Sequence, residues 1–498
     1  MNVEIELKLR VPANSVARLH RHPLLKSANP AHTAKLTSMY YDTPSLDLKS
    51  RGIALRLRKA GKRWIQTIKG GGGALAGVHT RYEWEIPVAR NALDFTKLDD
   101  PFLIEIFGSS ELRQNLSQVF VTEFTRKTVP VEFGGSLIEY CLDKGTIISG
   151  DKTEAILEAE LELKSGDPSK LYEFALELQK SVPLILEGRS KAERGYALFL
   201  GGHINRVKKA VTCELHRKMD VAAACREIVR GCLLQLQDNT LGYLDRETDP
   251  EYLHQMRVGL RRMRSAFSIF SHVFGKTAFS DIVPELRWLA GELGPARNWD
   301  VFALETLPPI IDALSPACDF VKLRQAGDAS RMKSQERAVL AIESHRFQVL
   351  LLELGAGLSR DSWPQSNAAS IADFANQILE KRYRNFERRG RGIATLCAAE
   401  LHALRIDGKK LRYAAEFFSP LYSARAASAF LAVMASLQDA LGAINDAATT
   451  NHLLEELSEV DPCAPNLVKG WAACESRQRI GQLGREWKAF KTIVPFWK

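Results

Sequence analysis

The chain has 498 residues, 45% hydrophobic and 26% charged, which are the proportions of a folded globular protein and enough length for two to four domains at ~100–200 residues each. Its net charge of +9 divides as +3 over residues 1–200 and +6 over the rest, too little in either part to name nucleic acid as a partner. Eight scattered cysteines without a CxxC pair exclude a disulfide scaffold and a common zinc site, and the alternating charges of MNVEIELKLR exclude a signal peptide. The most apolar stretch, Ala426–Leu437, falls short of the ~18 residues of a membrane span, so a cytoplasmic protein is expected.

Residues 1–200 read mostly as strands. Polar and apolar residues alternate over Val3–Arg10, Ile53–Lys59, Arg81–Val88 and Ile156–Lys164. Turn signals separate them at Gly70–Gly73, Gly134–Gly135 and Asp143–Gly145. The four glycines lack the GxxxxGK[ST] pattern of a phosphate cradle and read as a flexible hairpin loop. Helical pieces are expected near 12–21 and 168–181, the second opening at Asp167-Pro168-Ser169. Gly201–Gly202 begins a linker, and from about Met219 the pattern is helical, interrupted by a Gly-, Ser- and Asn-rich break at Gly355–Ser370.

Strand side chains alternate between faces, so Glu4, Glu6, Lys8 and Arg10 share one face. By the same rule Arg56 and Arg58 fall together, as do Arg81, Glu83 and Glu85, and Glu158, Glu160, Glu162 and Lys164. Any one of these faces, taken alone, reads better as the wet side of a half-exposed sheet. At least four of them together, closed into a barrel, would line one cavity with both signs of charge. Such a cavity suits a polyanion with a metal cation: carboxylates hold Mg²⁺ or Mn²⁺, and Arg and Lys neutralise phosphate oxygens. Cys141 reads as a packing residue, and His20, His22 and His32 as surface positions, since none has a metal-ligand spacing.

Glu4-x-Glu6-x-Lys8 resembles the ExExK signature of the CYTH superfamily, the triphosphate tunnel metalloenzymes. The likeness continues in order through Tyr41-Asp42-Thr43, Leu55–Arg58, Thr67–Gly70, Arg81–Glu85, Arg126, Asp143–Gly145, Glu158–Lys164 and Ser190–Tyr196. It implies an eight-stranded antiparallel β-barrel tunnel with flanking helices, over 1–202. It also implies Glu4, Glu6, Glu158, Glu160 and Glu162 as metal ligands, with Glu85 a further candidate. Lys8, Arg56, Arg58, Lys69, Arg126 and Lys191 become the phosphate contacts, and Glu4, Glu6, Lys8 and Glu160 the catalytic set. One acid of the Glu158–Glu162 strand would orient water. The implied reaction is hydrolysis of inorganic tripolyphosphate with Mg²⁺ or Mn²⁺. The same motifs occur in thiamine triphosphatases, class IV adenylyl cyclases and RNA 5′-triphosphatases, and a tunnel that only binds would be a polyphosphate adaptor.

The helical part contains a repeat. His254–Arg264 (HQMRVGLRRMR) aligns with His402–Arg412 (HALRIDGKKLR), and Leu293–Asn298 with Leu441–Asp446, both at an offset of 148 residues. His254, Arg257, Arg261 and Arg264 fall within an arc of about 80° on one helix face, and His402, Arg405, Lys409 and Arg412 repeat it. Neither stripe is read as having acidic partners one turn on, so an anion is expected to complete them. The paired motifs resemble the CHAD family of α-helical domains, with Asn298 in place of the usual Asp and Asp300 two positions on. The resemblance implies an all-α domain over 215–498, two repeated four-helix bundles at 215–355 and 370–498, that binds inorganic polyphosphate between the stripes. No chemistry is expected there, nor any membrane partner.

Overall fold

The computed structural model describes residues 2–26, 32–202, 206–245, 249–275, 277–315, 318–360, 370–457 and 462–498. Parts of the linker after Gly202 and of the break before Ser370 thus lie outside the described residues. The chain forms two compact units, Met1–Arg206 with Glu343–Asp361, and Val207–Ile342 with Ser362–Lys498.

In the first unit, strands β1 (Asn2–Arg10), β2 (His32–Asp42), β3 (Ile53–Ala60), β4 (Arg63–Leu75), β5 (Val78–Val88), β6 (Ser117–Phe133), β7 (Ser136–Ser149) and β8 (Lys152–Ser165) run β5-β4-β3-β2-β6-β7-β8-β1. A β1–β5 pairing closes the ring, every pair is antiparallel, and the two-residue β9 (Ile185–Leu186) adds to β1. Closure leaves no sheet edge and inverts the usual sense of alternation, because the polar faces look inward. Outside, Leu55, Ile68 and Trp84 pack with Leu48, Leu103 and Phe107 from short helices α2 (Asp47–Ser50) and α3 (Pro101–Phe107). The helices α1 (Val16–Arg21) and α4 (Ser110–Gln114) complete the strand connections. The helix α5 (Ser169–Gln179) buries Leu171, Phe174, Ala175 and Leu178, and α6 (Lys191–Leu200) lies across β6, β7 and β8.

Two turn assignments are corrected. Gly70–Gly73 is part of β4, where the register against β5 slips and forms a bulge. There Gly71 and Gly72 have φ of 69° and 77°, and a Cβ on Gly72 would lie 1.7 Å from the Thr80 carbonyl oxygen, so the run serves close strand approach. Asp143–Gly145 lies mid-strand in β7, not at a turn. A Cβ on Gly145 would stand 2.0 Å from the Glu123 carbonyl oxygen, so that glycine marks tight packing of β6 on β7. Among the histidines, His20 and His32 are exposed, whereas His22 is buried and its Nδ1 accepts from Leu24 N–H at 3.3 Å.

The helices α7 (Val221–Leu244), α8 (Glu251–Phe274), α9 (Ile282–Val301), α10 (Leu307–Leu314) and α11 (Val321–Glu343) follow. Then comes α12 (His345–Ser359), which the sequence reading spreads across the end of the first helical repeat but which clusters with the barrel. It buries Phe347, Leu350, Leu352 and Leu354 along α5, and its Gln348 side chain accepts from Leu186 N–H at 2.9 Å. Gly355 allows the approach, since a Cβ there would meet the Tyr172 ring at 2.2 Å. A helix apolar on so many faces needs more cover than one side of a bundle supplies.

The second unit continues with α13 (Ile371–Arg389), α14 (Ala398–Phe418), α15 (Ala424–Glu456) and α16 (Cys463–Thr492). A shift of 148 residues brings α7, α8, α9 and α11 onto α13, α14, α15 and α16, so each repeat supplies four long helices. Helix α15 is long and apolar enough to cross a membrane by length and composition, with mean hydropathy 1.5 over its best window. The sequence reading missed this by stopping before Asp439. Its apolar side packs Phe430 against Phe490, Phe496 and Trp497, as a core helix does.

Candidate functional site

Strand register sets the barrel interior. Lys8 pairs with Glu160, Lys69 with Glu83 and Arg126 with Asp143, so opposite charges meet across neighbouring strands, while Glu6 falls opposite another acid, Glu162. The result is a cavity of about 190 Å³ lined by Glu4, Glu6, Lys8, Arg56, Arg58, Lys69, Arg126, Glu160, Glu162 and Lys191. Arg81, Glu83, Glu85 and Lys164 stand on the same wall, giving eight cations against six carboxylates. Tyr40, Ala54 and Ala192 are the wall's apolar members.

One network is anchored by α6. A capping box at Ser190 and Glu193 starts this helix, and a Cβ on Gly195 would stand 2.2 Å from the Phe120 ring. Lys191 is thereby carried inward, where its ammonium lies 2.7 Å from Asp143 and 2.9 Å from Glu160, and also binds Glu158. Arg126 grips Asp143 through Nε at 2.7 Å and Nη2 at 2.6 Å, and donates to Glu160 as well. Lys8 bridges Glu6 at 2.7 Å and Glu160 at 2.5 Å. Burial opposes ionisation of Glu160, but Lys191, Lys8 and Arg126 outweigh it and hold the carboxyl well below the usual range. Glu6 is likewise buried, and Lys8 brings it down to about 2.

A second network joins Lys69 to Glu4 and, at 3.2 Å, to Glu83, which Arg56 also approaches at 3.4 Å. Burial and the neighbouring Glu6 raise the Glu4 carboxyl above its ordinary value despite Lys69. Two acids repelling each other on one strand mark the place where an added cation relieves most. Arg58 makes no ion pair among the described residues; its Nε donates to Ser38 Oγ at 3.1 Å. Burial, Arg56 and Arg126 pull its guanidinium down to about 10.

Nearly all the barrel residues singled out in the sequence thus meet in one cavity. The exceptions are Arg10, which is exposed at the end of β1, and Glu158, which lies 1% exposed behind the wall, bound to Lys191 and, at 2.7 Å, to Arg194. With Asp143 and Glu160 it forms a carboxylate trio whose ligand atoms lie within 4.8 Å of one another. The trio is already neutralised by Lys191, Arg126 and Arg194, whereas Glu4 and Glu6 face the cavity itself, where Lys69 and Lys8 are their partners. Carboxylate oxygens of either group fit a hard divalent ion. Asp143 and Arg194 were missed as site residues. The signal for Arg194 is its i+3 spacing from Lys191; Asp143 was hidden by its Asp-Lys-Gly context, which imitates a turn.

In the helical unit, α8 lies against α14, with Arg262 bonded to Glu416 at 2.5 Å and stacked over Phe417. Arg257, Arg261 and Arg264 line a cavity of about 310 Å³ with Arg287. Burial, Arg261 and Arg297 bring Arg257 down to about 10. Lys409 falls to about 7 through burial and the charges of Arg261, Arg405 and Arg412, so the stripes of the two repeats act on each other. His402 Nδ1 lies 3.0 Å from Asn445 Oδ1, and burial and Arg297 lower His254.

The absence of acidic partners is corrected in the second stripe: Glu416, four residues after Arg412, pairs with it at 3.2 Å, and Asp446 faces Arg405 and Lys409. The first stripe has Asn298 at the position of Asp446. Asp300 does not replace it. It is 1% exposed and held by Arg331 at 2.7 Å and Gln335 at 3.0 Å, away from the stripe.

A closed eight-stranded antiparallel barrel with a charged lumen, followed by a duplicated helical unit with facing basic stripes, defines a two-module architecture. The CYTH domain model matches residues 2–196 and the CHAD domain model residues 227–455. The chain therefore belongs to the proteins that join a CYTH domain to a CHAD domain. It is 32% identical over 196 residues to an inorganic triphosphatase of Haemophilus influenzae, a match covering 39% of this chain and 54% of that protein. An uncharacterised protein of Mycobacterium tuberculosis matches over 416 residues at 26% identity, 77% of this chain and 76% of that one. Among solved structures, the CHAD domain from the plant Ricinus communis aligns at 30% identity with a TM-score of 0.52, covering 58% of this chain and 98% of that one.

Proposed function

We propose that the barrel is a divalent-metal-dependent hydrolase of inorganic tripolyphosphate, releasing phosphate and pyrophosphate, and that the helical unit binds inorganic polyphosphate. The observation that carries the first part is the wall of the 190 Å³ cavity: cations and carboxylates face each other, with Tyr40, Ala54 and Ala192 as its only apolar side chains among the described residues. Tripolyphosphate carries about four to five negative charges. The wall's surplus of two cations leaves about two to three uncompensated, close to the charge of one divalent ion. A base or thiazolium would need an extended apolar or stacking surface, and Tyr40 is the only ring on this wall among the described residues. The 32% identity to an inorganic triphosphatase supports the same reading.

In this account Glu4 and Glu6 would hold Mg²⁺ or Mn²⁺, with Glu160, Glu162 and Glu85 as further oxygen donors on the wall. Bound there, a divalent ion supplies charge neutralisation at phosphate oxygens and a lowered pKa for an attacking water. Lys8, Arg56, Arg58, Lys69, Arg126 and Lys191 bind and align the phosphate chain. Glu160 and, behind the wall, Glu158 fix the directions of Lys8, Lys191 and Arg126. Held ionised by three cations, Glu160 suits orienting a water molecule more than taking up its proton. In the helical unit, Arg257, Arg261, Arg264, Arg405, Lys409 and Arg412 would neutralise polyphosphate oxygens, with His254 and His402 as hydrogen-bonding neighbours.

Glu4→Gln tests the barrel assignment. Metal-dependent phosphate release from tripolyphosphate is expected to fall by about 100-fold or more, with the circular dichroism spectrum unchanged. Activity within a few-fold of wild type would contradict it.

A further inference from the structure

Cys318 and Cys463 are 145 positions apart in the chain, yet their sulfur atoms stand 2.7 Å apart. Cys318 follows α10, with its N–H bonded to Leu314 O at 3.2 Å, and Cys463 is the first residue of α16. Both lie on the rim of a buried cluster shared by the two repeats. Phe302, Leu307, Ile310, Phe320 and Leu323 come from the first repeat, and Leu453, Leu454, Ala464 and Val468 from the second. This packing holds the thiols in place from both sides. Cys463 is exposed, and Cys318 opens on a cavity of about 500 Å³ beside Asp319, Val321 and Arg324, so a small oxidant reaches the pair. The other cysteines differ. Cys141, Cys213, Cys225 and Cys232 are buried, and burial pushes the Cys213 and Cys232 thiols up to about 11 and about 12.

We propose that Cys318 and Cys463 are a thiol pair that a peroxide converts to a reversible disulfide, joining the two repeats of the helical unit. One thiolate attacks the peroxide oxygen; the O–O bond breaks, hydroxide or an alkoxide leaves and takes up the proton the thiol had released, and a sulfenic acid remains. The second thiolate attacks that sulfur, the S–S bond forms, and hydroxide leaves to take up a proton as water. The two sulfurs together lose two electrons and the peroxide gains them. A dithiol reductant reverses the step. The bond would close a long loop and hold together the two repeats on which the basic stripes stand.

The test uses the full-length protein, treated with hydrogen peroxide, alkylated with iodoacetamide and digested for mass spectrometry. The expected product is one cross-linked pair of peptides carrying Cys318 and Cys463, two hydrogens lighter than the thiol forms. It should be reversed by dithiothreitol and missing from C463S and C318S, while Cys397 and Cys474 remain alkylated. Peroxide should also raise the melting temperature of wild type and leave that of C463S unchanged. Alkylation of both Cys318 and Cys463 after peroxide, their conversion to sulfinic acids, or a bond between molecules in place of the internal one would overturn the proposal.

Discussion

Lys191 and Arg58 share one cavity and have opposite tasks. Lys191 is the common partner of Asp143, Glu158 and Glu160, three buried carboxylates that burial alone would discharge. Lys191→Ala strands them and is expected to lower stability by about 3–5 kcal/mol, read as an earlier urea midpoint. Arg58 forms no ion pair among the described residues, and burial with the repulsion of Arg56 and Arg126 outweighs the pull of Glu85. Arg58→Ala should therefore leave the urea midpoint in place or raise it slightly, while KM for tripolyphosphate rises. Equal loss of stability in both variants would show that the division is wrong. The alternation of charge made the cavity residues legible from the sequence, since period two alone puts Glu4, Glu6 and Lys8 on one face. It did not reveal which charge meets which. That depends on register between strands far apart in sequence, and so Glu158 was placed on the wall when it lies behind it.

At the level of elements, a basic stripe is most informative where it conflicts with itself. Lys409 ordinarily titrates at 10.5; burial and three arginines lower it to about 7. A bound polyanion would favour the charged form and raise that value again. Protons are then taken up on binding between about pH 7 and the raised value of the bound form. Affinity for polyphosphate should be flat below about pH 7 and fall above it, by up to about tenfold per pH unit for one linked proton. Lys409→Met should abolish the dependence, read as retention on immobilised polyphosphate from pH 6 to 9 at constant salt. A wild-type affinity unchanged across that range would contradict the reading. The stripes and their repeat were legible because 148-residue self-similarity survives in motif order. The helix α12 was misplaced because helical periodicity says nothing of partners; Gly355 against Tyr172 is a contact between distant segments. The bulge at Gly70–Gly73 was read as a loop for a similar reason, since glycines that relieve a turn and glycines that relieve strand crowding look alike.

For the whole molecule, the two modules arrange charge in two ways. The barrel mixes carboxylates with cations, which suits cleavage assisted by a metal ion; the helical unit sets cations in facing stripes, which suits holding a polymer. Binding to the stripes should weaken steeply with salt as counterions are released, and Arg261→Ala with Arg405→Ala should reduce that slope. Turnover in the barrel should depend on Glu4 and a divalent ion whether or not these arginines are present. The most direct measurement is a single panel: purified protein with Mg²⁺ or Mn²⁺, offered tripolyphosphate, ATP, thiamine triphosphate and long-chain polyphosphate in parallel, with phosphate, pyrophosphate and cyclic AMP quantified. The account predicts phosphate and pyrophosphate from tripolyphosphate far faster than any product from the others, and none after chelation of the metal. Cyclic AMP from ATP, or faster hydrolysis of thiamine triphosphate, would contradict it.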